Sequence, residues 1–420
     1  MSLLGLAFRS LWNRKITTSL TVLTIAMSIS LLIGIERIRQ STRQSFESTV
    51  SGVDMIVGAR SAPMNLLLYS VFRIGNPTNN VDWKTFLSIR EDKRIKWSVP
   101  ISLGDSHKGY RVIGTTPEYF EHIGYGGGKK LQLASGQVFT NEFEAVIGHT
   151  VAQKLNYQLN QEIVLSHGTG EVSFQDHADK KFKIVGILQP TGTPADQGIH
   201  VSLRSIEALH VDWMEGAPPM TGKGLTAEEA LKLDLEPKTI SAFFVGVHKK
   251  IALLGLRRSI NENTDEALTA IMPGATLMEM WSMLSFVESA LLAVSVLVFV
   301  SGLIAMLLSL ISTLNERRRE MAILRSVGAS HRFVFQLLVF ESLVLTVLGA
   351  VTGVLATYLI LFLIQPVLES RLGLSVGMLT IGQTEIVYLL SMILVSVLVG
   401  LIPGYFAYRK SLLDGLTVRT

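Results

Sequence analysis

At 420 residues, 48% of them hydrophobic and 17% charged, with a mean hydropathy of +0.39, the chain has the composition of a membrane protein with a substantial soluble part. Its net charge of +4 is small for this length and its Lys and Arg form no long run, which excludes a nucleic-acid groove. The lack of cysteine excludes disulfides, thiolate metal sites and cysteine nucleophiles, so an exported domain must fold on its core alone.

In chain order, residues 1–15 place Leu3, Leu4, Ala7, Phe8, Leu11 and Trp12 at helical spacing among Arg9, Arg14 and Lys15. That pattern predicts a short cytoplasmic helix lying in the inner membrane interface. Hydrocarbon about 30 Å thick needs roughly 20 apolar helical residues to cross it, and 16–36 supplies the first span. It exceeds the apolar region of a signal peptide and no small-x-small cleavage site precedes Glu36 and Arg37, so it reads as a retained anchor.

From 37 to 280 the apolar period shortens. Strands are predicted over 53–57, 109–114, 145–147, 161–165, 182–188, 243–247 and 271–277, and helices over 82–91, 151–155, 203–208 and 250–261. This is a mixed α+β domain, interrupted at 216–239 by an inserted loop carrying Pro218, Pro219, Gly222 and Gly224. One apolar stretch, bounded by Pro63, Gly75 and Pro77, holds Met64, Leu66, Leu67, Leu68, Tyr69, Val71 and Phe72. Two readings stand for it: packing in the domain core, or an exposed handle that grips a lipidated or otherwise hydrophobic partner. His107, His122, His149, His167, His177, His200, His210 and His248 are scattered with no zinc-type spacing. They are expected as solvated or core groups and no metal site is assigned, with a set assembled from distant residues left open. The Gly-rich stretch 124–130 lacks P-loop spacing and reads as a turn.

Three further spans follow at 277–314, 334–364 and 386–408. As one helix, 277–314 would run about 57 Å, well beyond the hydrocarbon, so that it either projects outward as a stalk or crosses at a strong tilt. The third is similarly long and is expected to end before Pro366. Within it, Glu341 is costly unless it faces protein or water, and is placed against a helix partner. Gly349 and Gly353 form a Gly-x-x-x-Gly that permits close helix approach. Arg9, Arg14 and Lys15, then Arg317, Arg318, Arg319, Arg325 and Arg332, then Arg409, Lys410 and Arg419 stand against Arg371 in the short loop 365–385. Retention of Lys and Arg on the cytoplasmic side puts both termini and the 315–333 loop inside, and 37–280 outside.

The loop begins Asn-Glu-Arg-Arg-Arg-Glu-Met-Ala-Ile-Leu-Arg-Ser-Val-Gly-Ala-Ser over 315–330. It resembles the signature of the FtsX-like permeases of ABC transporters, the superfamily of MacB, LolC/LolE and FtsX, at Glu316, Arg317, Glu320, Leu324, Arg325, Gly328 and Ala329, with Met321 and Ser326 as departures. Residues 136–187 resemble the MacB-type periplasmic core, and the ending keeps Pro403, Ala407 and Leu416 of the family pattern.

The resemblance implies an α-helical membrane protein with four transmembrane helices and an α+β extracytoplasmic domain inserted between spans 1 and 2, the type VII or MacB-like arrangement. Its porter-like part would come from 37–116 and 240–280 and its sabre-like part from 117–215. It implies a multi-pass protein of the bacterial inner membrane, a permease dimer on cytoplasmic ABC ATPase subunits, and contacts with membrane lipid and a periplasmic or outer-membrane partner. No cofactor or catalytic residue is expected on this chain, ATP and Mg belonging to the ATPase. The segment 316–332 would be a short helix in a groove of that ATPase, with Arg317, Arg318, Arg319 and Arg325 as donors and Met321, Ile323 and Leu324 buried. The bland alternative makes these arginines topology anchors. The implied activity is mechanotransmission, in export or in lipoprotein or amphiphile handling. The alternative is an FtsX-like signalling subunit that activates an extracytoplasmic partner and transports nothing, against which the size of 37–280 weighs.

Overall fold

A computed structural model describes residues 11–12, 14–49, 51–168, 175–213, 225–316, 331–372 and 382–413. The chain divides into two compact units, one from 1–42, 284–370 and 376–420, the other from 43–283 with 371–375.

The first unit is built on four long helices: α1 (Lys15–Thr49), α2 (Pro273–Glu316), α3 (His331–Leu372) and α4 (Gln383–Leu413). Each contains a segment long and apolar enough to cross a membrane. Ile25, Ile29, Ile33, Met306, Leu310 and Leu345 bury against one another, while Leu297, Leu355, Leu359, Phe362, Leu363 and Leu390 stay exposed. A helix apolar on both sides suits a solvent of hydrocarbon, where outward Leu and Phe cost nothing. At 44 residues, α2 is about 66 Å long. The expectation that the third span ends before Pro366 is corrected, since α3 continues through it to Leu372. Proline deletes one hydrogen bond of the ladder, a loss that transmembrane helices tolerate, and α4 likewise contains Pro403.

The second unit is an α+β domain. Among the described residues its main sheet has ten strands: β1 (Met55–Ala59), β2 (Ile95–His107), β3 (Tyr110–Thr115), β4 (Leu133–Gly136), β5 (Glu144–Ile147), β6 (Glu162–His167), β7 (Gln175–Leu188), β8 (Gly198–Ser202), β9 (Ala242–Val247) and β10 (Leu268–Ile271). Their order is β10-β1-β9-β2-β3-β8-β5-β7-β4, with β6 pairing β7 and β2. The 13-residue β2 joins two halves, pairing β9 from Val247↔Ile95 to Ala242↔Ile101 and β3 from Ser102↔Gly114 to His107↔Tyr110. Sequence pattern does not predict β2, because Pro100, Gly104 and Asp105 interrupt its alternation. The strand expected at 271–277 is also corrected: it lies at Leu268–Ile271, and Pro273 opens α2. A fixed φ and no N–H suit proline to the first helical turn.

Candidate coupling site

The apolar stretch of the second unit forms a helix, Pro63–Leu67, that passes into a wider π-helical turn, Leu68–Phe72. Arg73 ends it in the left-handed conformation (φ 62°) and donates from Nη2 to the Tyr119 hydroxyl at 3.1 Å. Leu66, Leu67, Tyr69, Val71 and Phe72 are buried with Ile56, Ile101 and Phe244, while Met64 and Leu68 are half-buried. The Tyr69 hydroxyl donates to the Ser241 carbonyl at 3.2 Å. Gly58 of β1 permits this packing, since a Cβ there would come within 2.6 Å of Tyr69 Oη and 2.7 Å of Leu66 Cδ1. The exposed-handle reading is therefore corrected: these side chains face inward, drawn there by the apolar face of the sheet.

Two long helices are rooted in this core. Phe46 of α1 stacks on Phe72 with ring centroids 4.3 Å apart, and Trp281 of α2 meets Phe46 at 5.8 Å and 69°. Leu277, one turn earlier on α2, is buried in the same cluster. The Phe46–Trp281 contact has the edge-on geometry that aromatic pairs prefer. Sequence reasoning singled out 64–72 but not its partners, which lie far away in the chain.

In the helical unit, Gly349 and Gly353 bring α3 close to α1. A Cβ at Gly349 would approach Ile25 Cβ to 2.7 Å, and one at Gly353 would approach the Ala26 carbonyl oxygen to 2.7 Å. Glu341 is buried, as are Ser342 and Thr346. Two polar clusters were not foreseen. Arg37 of α1 forms a two-pronged ion pair with Glu385 in the first turn of α4, Nε meeting Oε1 and Nη2 meeting Oε2 at 2.9 Å. Its Nη2 also donates to the Tyr358 hydroxyl of α3 at 2.8 Å, so three helices share one buried guanidinium. Arg39 binds Glu36 through two hydrogen bonds of 2.8 and 3.0 Å and lies 3.6 Å from Glu288 of α2. The signal available in sequence was the pair of charges just beyond the apolar runs, Arg37 after the first and Glu385 before the fourth.

Glu316 is the last residue of α2. Arg317, Arg318, Arg319, Glu320, Met321, Leu324, Arg325, Gly328 and Ala329, the remainder of the expected ATPase-coupling segment, lie outside the described residues.

Four apolar helices with a large α+β domain after the first define a membrane protein with an extracytoplasmic domain. Family comparison makes this specific: a model for the MacB-like periplasmic core domain matches residues 18–223, and one for the FtsX-like permease C-terminal domain matches 292–412. The chain is an FtsX-like ABC transporter permease with a MacB-like periplasmic core domain. It is 22% identical over 435 aligned residues to the macrolide export ATP-binding/permease protein MacB of Shewanella sp. (strain ANA-3), covering 98% of this chain and 60% of that one. An uncharacterized ABC transporter permease of Methanocaldococcus jannaschii is 26% identical over 236 residues, covering 55% of this chain and 53% of its own. The chain thus spans 60% and 53% of the length of these curated relatives. Among solved structures, the extracellular domain of the noncanonic ABC-type transporter YknZ from Gram-positive bacteria aligns with 52% of this chain and 98% of its own, at 13% identity and a TM-score of 0.31.

Proposed function

We propose that this chain is the membrane subunit of an ABC transporter of the inner membrane, in which ATP hydrolysis on a cytoplasmic ATPase drives movements of the extracytoplasmic domain. The observation that carries this reading is the aromatic seat of Phe46, Phe72 and Trp281, which roots α1 and α2 in the core of that domain. Each of these helices is unbroken between its apolar span and its root. A continuous helix resists bending over a few turns, so a displacement applied to one end is delivered to the other. ATP and Mg reside on the ATPase, two permeases assemble on the ATPase pair, and the segment 316–332 docks them through its arginines. The work delivered outside serves export or the handling of lipoproteins or other amphiphiles, relayed to a periplasmic or outer-membrane partner. Since the MacB relative is a macrolide exporter by name, amphiphilic small molecules are the first cargo to assay.

Because the chain has no cysteine, spin labels can be placed at will on introduced cysteines in the extracytoplasmic domains of the assembled complex. Distances between them are expected to change between the nucleotide-free and ATP-trapped states. Gly-Gly insertions after Thr42 and after Met283, where the two units divide, should abolish the change while leaving hydrolysis in place. Unchanged distances in the uninterrupted chain would refute the mechanism. Reversing charge at Arg325 to Glu should release the ATPase, measured by co-purification. Full retention would leave the arginines as topology anchors.

A further inference from the structure

The scattered histidines acquire a partner set only in three dimensions. Asp105 on β2 and His167, the last residue of β6, are direct cross-strand neighbours. The helix Leu203–His210, begun by the Ser202 side chain accepting from the Ser205 N–H at 3.0 Å, delivers His210 to the same place. His167 Nδ1 lies 3.1 Å and His210 Nε2 lies 3.4 Å from one oxygen, Asp105 Oδ1. One ligand atom from each of the three residues falls within 4.8 Å of the others.

We infer that Asp105, His167 and His210 bind one divalent transition-metal ion, zinc above others, in the extracytoplasmic domain. Four observations support the assignment. Bonds of about 2.1 Å in a tetrahedron separate neighbouring donors by about 3.4 Å, and the two measured N···O separations lie at that spacing. The donors are two imidazoles and one carboxylate, a set that suits zinc and its transition-metal neighbours and not magnesium. His210 Nδ1 lies 3.0 Å from the Ile206 carbonyl. Donation of that N–H leaves Nε2 as the nitrogen turned to Asp105, the second-shell arrangement by which metal-bound histidines are oriented. Finally, the carboxylate is almost fully buried while the His167 side chain is 43% exposed, which leaves a way in for the ion and a fourth position for water.

Trp213, 4.8 Å from both imidazoles, forms one wall. The buried Lys180 ammonium donates to the Leu209 carbonyl and to Asp212, both at 3.1 Å, and so fixes the chain on either side of His210. Bound zinc would tie β2, β6 and this helix together, stabilising this half of the domain by mass action.

The test is calorimetric titration of zinc chloride into the full-length, chelator-treated protein in detergent at pH 7. One zinc per chain, micromolar or tighter, is the expected result. His167→Ala and His210→Ala should each weaken binding by at least the ~10–100-fold that losing even a second-shell partner costs. His248→Ala, at an exposed histidine, should leave it unchanged, and magnesium should give no heat. Since His167 is half exposed, its variant folds, and zinc binding that is absent from the parent or undiminished in His167→Ala would overturn the assignment.

Discussion

Arg37→Met is expected to lower the unfolding free energy of the helical unit by about 3–5 kcal/mol, the range found when one partner of a buried ion pair is removed. The guanidinium is buried and holds both oxygens of Glu385 together with the Tyr358 hydroxyl. Methionine fills part of the same volume but leaves a carboxylate, itself 1% exposed, with no counter-charge. Most of the loss should come from that abandoned charge and not from the missing attraction. The double variant Arg37→Met/Glu385→Leu should therefore recover much of the stability, since apolar replacement of a whole buried pair is often neutral. Detergent-solubilised protein, melted with and without the second substitution, gives both numbers. A double variant as unstable as Arg37→Met would show that the pair matters through packing alone.

His200 predicts a second large effect, on the pH dependence of the extracytoplasmic domain. It sits on β8 between β3 and β5, with its ring 5.2 Å from Tyr119 and 5.5 Å from Phe120. Burial, with the nearby Arg73 charge adding to it, depresses this imidazole from 6.5 to about 3. The native state therefore keeps His200 neutral where the unfolded chain takes up a proton. Stability is full above pH 6.5 and is lost as pH falls toward 3, by up to about 1.4 kcal/mol per unit and on the order of 4 kcal/mol in all across that window. His210 acts in the opposite sense: its raised pKa adds stability below 6.5 that fades as pH rises through its folded value. Asp105, lowered to about 2, adds an acid loss only below 3.8. Between pH 6.5 and 4 His200 acts nearly alone among these three groups. Hydrogen exchange at the β8 amides, followed across that range, should show the slope, and His200→Phe should flatten it. An equal slope in the variant would assign the acid sensitivity elsewhere.

Much of the architecture can be read from the chain itself. A span must be apolar over a fixed local length, so α1 to α4 announce themselves in any window of about 20 residues, and tertiary packing changes only their ends. Pro366 illustrates the limit: its local rule ends a helix, yet α3 runs on to Leu372. In the α+β domain the short apolar runs of β5, β7 and β9 were legible although β9 is buried along its whole length, whereas β2, central to the sheet, was not, because Pro100, Gly104 and Asp105 break its apolar run.

The membrane class, the span order, the inserted domain and the family can all be read without a structure, because hydropathy and the 315–330 motif are local properties. Tertiary structure decided everything that depends on distant partners. It turned 64–72 from an apolar run into core that seats Phe46, paired Arg37 with Glu385 across 348 positions, and set His167 against Asp105 across 62. The physical reason is common to all three. Whether an apolar side chain is a handle or a core, and whether a charge is an anchor or half of a buried pair, is set by what the fold brings against it.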